Sequence, residues 1–186
     1  MNIPNAISTF RLFLVPVFAL VYFSGNDNAS LYAFLVFAVA GFSDILDGYI
    51  ARKFNMVTKL GRIIDPLADK LMVFTALVCT AITGNIPAIF PVLYLIKEGW
   101  QVFQTFRLAD KIDDVPPANF WGKGGTFLFY VAITMGVLMP QYDTAVLIVL
   151  CMAVTFSVIA YFTYRERGKR LVDAIERAKE STEGGN

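Results

Sequence analysis

The chain has 186 residues, of which 56% are hydrophobic and only 17% charged, and its formal net charge is +1. That balance is far more apolar than a soluble domain of this size needs, so the expected solvent is largely lipid, and no nucleic-acid partner is expected. The absence of any histidine excludes imidazole bases, phosphohistidine intermediates and histidine-ligated zinc, and leaves acid–base or metal chemistry to carboxylates.

A helix crosses the hydrocarbon core in about 20 residues. Apolar runs of that order cover residues 7–23, 31–50, 63–83, 86–106, 124–139 and 144–162, which predicts an all-α polytopic membrane protein with six transmembrane helices. Residues 1–164 form the expected membrane domain. The runs are separated by turn-forming stretches such as Gly25-Asn26-Asp27-Asn28, Thr83-Gly84-Asn85 and Met139-Pro140-Gln141-Tyr142-Asp143. None of these three turns contains Lys or Arg, whereas 13 of the 16 basic residues fall in the segments assigned to the inner side and the other three, Arg11, Lys70 and Lys97, lie within the runs. The positive-inside rule then sets both termini in the cytoplasm.

A competing reading makes Arg11 and the apolar run after it a signal peptide cut near Ser24-Gly25. That run is long enough to span, and its removal would leave the charge bias less well explained. Cys79 and Cys151 sit in apolar stretches without metal-ligand spacing and read as small packed side chains rather than a disulfide. Asp110, Asp113 and Asp114 read as a solvated turn. Residues 165–186, opening with Arg165-Glu166-Arg167-Gly168-Lys169-Arg170, read as a cytosolic polar tail held near anionic headgroups by its basic start.

The informative segment joins the second and third runs: Asp44-Ile45-Leu46-Asp47-Gly48-Tyr49-Ile50-Ala51-Arg52, then Gly61-Arg62-Ile63-Ile64-Asp65-Pro66-Leu67-Ala68-Asp69-Lys70. Ionised carboxylates in or beside apolar spans cost several kcal/mol each unless cations or water compensate them. At roughly 100° per residue, Asp44, Asp47, Gly48 and Ala51 share one helix face, and Gly61, Asp65 and Asp69 share a face of the next. The short connection makes these helices antiparallel neighbours with their acidic faces together at the cytoplasmic end. Gly48, Ala51 and Gly61 remove side-chain bulk where the helices or a ligand come close.

Oxygen ligands without imidazole or thiolate suit Mg²⁺ or Mn²⁺, and four carboxylates can hold two ions of a kind well matched to phosphoryl chemistry. One carboxylate can take the proton of an attacking hydroxyl. Blander readings exist for each residue alone. Asp65 before Pro66 can be a helix N-cap, Asp69 with Lys70 a local ion pair, and Asp44 with Asp47 the ion site of a divalent-cation or proton-coupled transporter. A transport site leaves Gly48, Ala51 and Arg52 unexplained.

The pattern D-x2-D-G-x2-A-R-x8-G-x3-D-x3-D, from Asp44 to Asp69, resembles the motif of the CDP-alcohol phosphotransferase family at every fixed position. By that resemblance, Asp44, Asp47, Asp65 and Asp69 bind two divalent cations, and Asp69 is also the general base. Gly48, Ala51, Arg52 and Gly61 line the cytidine diphosphate pocket, and the protein is a homodimer. The implied reaction attacks the lipid-bearing phosphate of CDP-diacylglycerol and releases CMP, with the active site facing the cytoplasm at the cell membrane.

Residues 2–11, Asn-Ile-Pro-Asn-Ala-Ile-Ser-Thr-Phe-Arg, resemble the start of the branch that uses sn-glycerol 3-phosphate as acceptor. Inositol phosphate, phosphatidylglycerol or serine are the alternative acceptors. Trp121-Gly122-Lys123-Gly124-Gly125-Thr126 partly matches the Gly-Lys-x-Lys-Thr stretch of that branch, with Gly125 where a second lysine is usual, and Lys97-Glu98 stands where an Arg-Glu pair is expected. An anionic acceptor needs cations, and Arg11, Lys97, Arg107, Lys123 and Arg165 are the candidates. Each can instead be a snorkelling or anchoring residue.

Overall fold

A computed structural model describes residues 3–53, 61–109 and 120–183. These residues are helical throughout apart from short turns. Six α-helices follow in order: α1 (Ile3–Tyr22), α2 (Ala29–Lys53), α3 (Gly61–Ile82), α4 (Ile89–Ala109), α5 (Phe120–Leu138) and α6 (Asp143–Glu183). One 3₁₀ turn, Pro140–Tyr142, separates α5 from α6. The helices match the apolar runs in number and order. The expected solvated turn at Asp110, Asp113 and Asp114 lies outside the described residues.

Among the described residues, one helical stretch is long and apolar enough by itself to cross a membrane, the 28-residue segment Pro140–Arg167, and only 17% of its apolar window is buried. Ala6–Tyr22 and Ala29–Asp44 are shorter apolar helices. α3 opens on Asp65, Asp69 and Lys70, and α4 carries Lys97 and Glu98 in its middle. α6 does not stop at residue 162. It continues through the basic segment to Glu183, 41 residues in all, which is about 60 Å of helix at 1.5 Å per residue. The Glu, Arg, Lys and Ala residues beyond Phe162 are good helix formers, so the helix can outlast the apolar run that begins it.

α1 packs along both α2 and α3, and α5 pairs closely with α6. α5 also touches α2 and α3, while α4 bridges α3 and α6. α1 and α3 are tied where both end: Tyr22 and Thr83 share a hydrogen bond of 3.0 Å between hydroxyls, and Asn85 donates to the Tyr22 hydroxyl at 3.2 Å. α3 ends in a Schellman turn. The N–H of Asn85 reaches the Thr80 carbonyl (3.0 Å) and that of Gly84 the Ala81 carbonyl (3.1 Å), with Gly84 at φ +79°, a conformation that glycine adopts without Cβ strain.

The core is built from Phe18, Phe37, Met72, Leu77, Phe90, Tyr94, Phe129 and Leu150, all at most 5% exposed. The outside is also apolar: Leu20 and Phe42 are each 73% exposed, and Phe13 and Phe127 each 67%. Arg11 and Glu98, by contrast, are buried. Charges inside and large hydrophobes outside reverse the arrangement that water selects.

α5 and α6 approach closely at Gly124 and Gly125. A Cβ on Gly125 would lie 2.9 Å from Ser157 Oγ and 3.2 Å from the Ala153 carbonyl oxygen, and one on Gly124 would lie 2.9 Å from the Phe156 ring. The Phe156 ring can give way, but the backbone at Ala153 cannot without moving α6. That contact leaves little space for a side chain at Gly125, which is buried in the interface.

Candidate active site

The polar junction is assembled from helices far apart in sequence. Asp44 lies near the end of α2, after the apolar stretch that packs it on α1, and Asp69 lies two turns into α3. The two carboxylates are close enough to act on one another electrostatically, and Arg11 and Glu98 act on Asp69 as well. Asp47 follows Asp44 by about one helical turn, and Asp65 precedes Asp69 by about one. The side chains of Asp47, Gly48, Ala51, Arg52, Gly61, Asp65 and Arg107 lie outside the described ones, although all seven positions are helical.

Asp44 is held from α1. Arg11, with its side chain 1% exposed, sets Nη1 2.5 Å from Asp44 Oδ1, whose side chain is 43% exposed, and its Nε points to Ser43 Oγ at 3.4 Å. Ser43 in turn donates to the Ala40 carbonyl at 2.7 Å. A buried guanidinium needs such a counter-charge, because leaving it alone in a low-dielectric interior costs several kcal/mol. Asp69 is held from α5, where the Tyr130 hydroxyl donates to its Oδ1.

A second cluster adjoins the first. Glu98 of α4 takes Lys97 Nζ at 2.5 Å on one carboxylate oxygen and Lys70 Nζ at 2.9 Å on the other. Lys70 immediately follows Asp69, so Glu98 joins α4 to the acidic face of α3. Lys97 also donates to Thr126 Oγ1 of α5 at 3.3 Å and lies over the Tyr94 and Phe129 rings, 5.5 and 5.7 Å from their centroids. These contacts leave its side chain 15% exposed. Lys123 and Arg165 are exposed on α5 and α6, and neither takes part in an ion pair among the described residues.

Of the candidates read from sequence, Asp44, Asp69 and Arg11 therefore come together, and Lys97 joins them through Glu98 and Lys70. Glu98 and Tyr130 were not among those candidates. Glu98 had a signal, a carboxylate in the middle of an apolar run. Tyr130 had none, since a tyrosine in an apolar helix is ordinary.

The donor set at the junction is carboxylate oxygen, which suits a hard divalent cation. Asp44 and Asp69 offer carboxylate oxygens from two neighbouring helices, the donor chemistry that such an ion takes. No group of three possible metal ligands lies together among the described residues; the side chains of Asp47 and Asp65 are not among these.

The family model for CDP-alcohol phosphatidyltransferases matches residues 1–162. The chain belongs to that family. The CDP-alcohol phosphatidyltransferase assignment bears out the motif that runs from Asp44 to Asp69 and makes the protein an enzyme. The chain is 35% identical over 182 residues to a probable phosphatidylglycerophosphate synthase of Mycobacterium tuberculosis, covering 95% of this chain and 86% of that one. It is 28% identical over 175 residues to a CDP-diacylglycerol–glycerol-3-phosphate 3-phosphatidyltransferase of Rickettsia felis, covering 91% and 96%. A CMP-forming cardiolipin synthase of Streptomyces coelicolor is 34% identical over 130 residues, which is 68% of this chain and 60% of that one.

Proposed function

We propose that this CDP-alcohol phosphatidyltransferase moves the phosphatidyl group of CDP-diacylglycerol to sn-glycerol 3-phosphate, forming phosphatidylglycerophosphate and CMP in phospholipid biosynthesis. The observation that carries the reading is the junction of Asp44 and Asp69 beside the Lys70–Glu98–Lys97 cluster, in a chain whose relatives carry that activity in their names. The carboxylates suit the pyrophosphate end of the donor, and the lysines suit the phosphate of an anionic acceptor.

Asp44, Asp47, Asp65 and Asp69 would hold two divalent cations, Mg²⁺ or Mn²⁺. When bound, such ions neutralise a pyrophosphate and stabilise the departing phosphate oxygen. Gly48, Ala51 and Gly61 would leave space for the cytidine diphosphate, and Arg52 would meet its phosphate. Asp69 would accept the proton of the acceptor hydroxyl as its oxygen attacks the lipid-bearing phosphorus and the bond to CMP breaks. Arg11 would serve the site through Asp44, fixing its carboxylate from α1.

Among the cations proposed for the acceptor phosphate, Lys97 has the strongest support, because it shares Glu98 with the lysine next to Asp69. Arg107, Lys123 and Arg165 would complete the basic rim. An arrangement in which Glu98 holds two ammonium groups lets an incoming phosphate compete for both without either lysine standing unpaired before substrate arrives.

The purified protein in detergent, given CDP-diacylglycerol and radiolabelled acceptors in turn, should release CMP with glycerol 3-phosphate. EDTA should stop the reaction, and Mg²⁺ or Mn²⁺ should restore it. CMP release with phosphatidylglycerol instead would favour a cardiolipin-forming reaction, in keeping with the Streptomyces relative. No CMP release with any acceptor would defeat the proposal.

For membrane placement we infer six spans in the cell membrane, both termini and the aspartate junction cytoplasmic, and a homodimer as the family resemblance implies. The apolar exterior and the one-sided distribution of Lys and Arg support the topology. In a background lacking Cys79 and Cys151, Asn26→Cys should react with an impermeant maleimide added outside intact cells, and Lys53→Cys should react only after permeabilisation. The reverse pattern would invert the topology. The native mass of the detergent complex should correspond to two copies.

A further inference from the structure

The two described aspartates are each gripped from a different helix, and the two grips differ in kind. Arg11 brings a charge to Asp44. Tyr130 brings a neutral donor to Asp69, so its contribution is direction rather than neutralisation. Among the described residues no hydrogen bond reaches the other Asp69 oxygen.

The direction of that donor is set by packing. The Tyr130 ring centroid lies 5.2 Å from that of Phe37, tilted by 40°. Its Cε1 lies 3.8 Å from the place a Cβ on Gly41 would occupy. Both contacts come from α2, the helix that also carries Asp44. The hydroxyl therefore reaches α3 at the end of a rigid ring wedged against α2, and one side chain links the geometry of both acidic helices.

We propose that Tyr130 is a positioning residue for catalysis: its hydroxyl fixes the plane of the Asp69 carboxylate so that the oxygen it does not touch receives the acceptor's proton. The inference rests on Asp69 as the base, as proposed above. The carboxylate torsion of an aspartate is broad and nearly two-fold, so an ungripped Asp69 would rotate among orientations. A base acts only within about 2.6–3.2 Å of the proton it takes. In the step served, the acceptor O–H bond breaks and its proton passes to Asp69. The acceptor oxygen forms the new bond to the lipid-bearing phosphorus, and the electrons of the breaking P–O bond leave with CMP.

The test is Tyr130→Phe, which keeps the ring against Phe37 and removes only the donor. In the purified, cation-loaded enzyme, kcat for CMP release should fall about 10- to 100-fold, the scale expected when a reacting group is misplaced by about 1 Å. KM for CDP-diacylglycerol and for glycerol 3-phosphate should stay within about two-fold of wild type. Asp69→Asn and the double variant are measured alongside. Once the base is gone its orientation no longer matters, so the double variant should be no slower than Asp69→Asn, an outcome that a merely structural role would not give.

A wild-type kcat in Tyr130→Phe, a rise in KM alone, or multiplying losses in the double variant would each overturn the positioning role. Normal turnover by Asp69→Asn would instead remove Asp69 as base and take this inference with it. If Tyr130→Phe does not fold, Phe37→Leu keeps the hydroxyl but loosens the ring. It should lower kcat with KM unchanged, and an unaltered kcat there would count against the proposal.

Discussion

Asp69→Asn should lower the rate of CMP release by at least ~10³-fold. Loss of a general base alone removes about 10²–10⁴, and the same substitution weakens an oxygen ligand for the cations. Asparagine keeps the volume of aspartate and an oxygen to accept from Tyr130, so the fold around α3 and α5 should survive. Binding of CDP-diacylglycerol should also survive better than in Asp44→Asn, because Asp44 is assigned to the cations and not to the proton. Asp44→Asn carries an added penalty, since it leaves the buried Arg11 guanidinium facing a neutral amide. Equilibrium binding of CDP-diacylglycerol to both variants, set beside their turnover, is the decisive comparison. Equal loss of binding in the two would contradict a separate base role for Asp69.

Glu98→Gln should produce a substantial loss of stability at the polar junction. One carboxylate there satisfies two ammonium groups, at 2.5 and 2.9 Å, with side-chain exposures of 15% for Lys97 and 30% for Lys70. Breaking a fully buried pair costs about 3–5 kcal/mol, and an exposed pair is worth about 0–1 kcal/mol. Intermediate exposure puts the expected cost at about 2 kcal/mol between those limits. It would be measured as a lowered thermal unfolding midpoint in detergent. The cost should come mainly from the stranded Lys97, so Lys97→Met with Glu98→Gln should recover much of the loss, which a double-mutant cycle will quantify. A Glu98→Gln protein as stable as wild type would mean that solvent reaches the cluster far more freely than its packing against Tyr94 and Phe129 implies.

These two substitutions mark different degrees of legibility. Asp69 stands out in the chain because a carboxylate at a fixed spacing from three others, in residues otherwise suited to lipid, has an energetic cost that demands an explanation. Glu98 carries a similar cost, but its sequence neighbour Lys97 suggests a simple local pair and conceals the second lysine, which arrives from another helix. Tyr130 carries no such cost and no sequence signal.

The sequence by itself determined the helical class, the number and order of the helices, the family, and the face on which each aspartate lies. All of these follow from composition, apolar run length and a periodicity of 3.6 residues, which are properties of contiguous chain. Only the tertiary structure decided that Arg11 reaches Asp44 rather than standing as an independent cation, that Tyr130 grips Asp69, that Glu98 joins Lys70 to Lys97, and that α6 lies so close to α5 that little space is left for a side chain at Gly125. Each of those depends on which helix faces which across 25 or more positions of chain, as in the 33 residues between Arg11 and Asp44 and the 61 between Asp69 and Tyr130. Local pattern can point a side chain inward, but close packing among all six helices selects the partner it meets there.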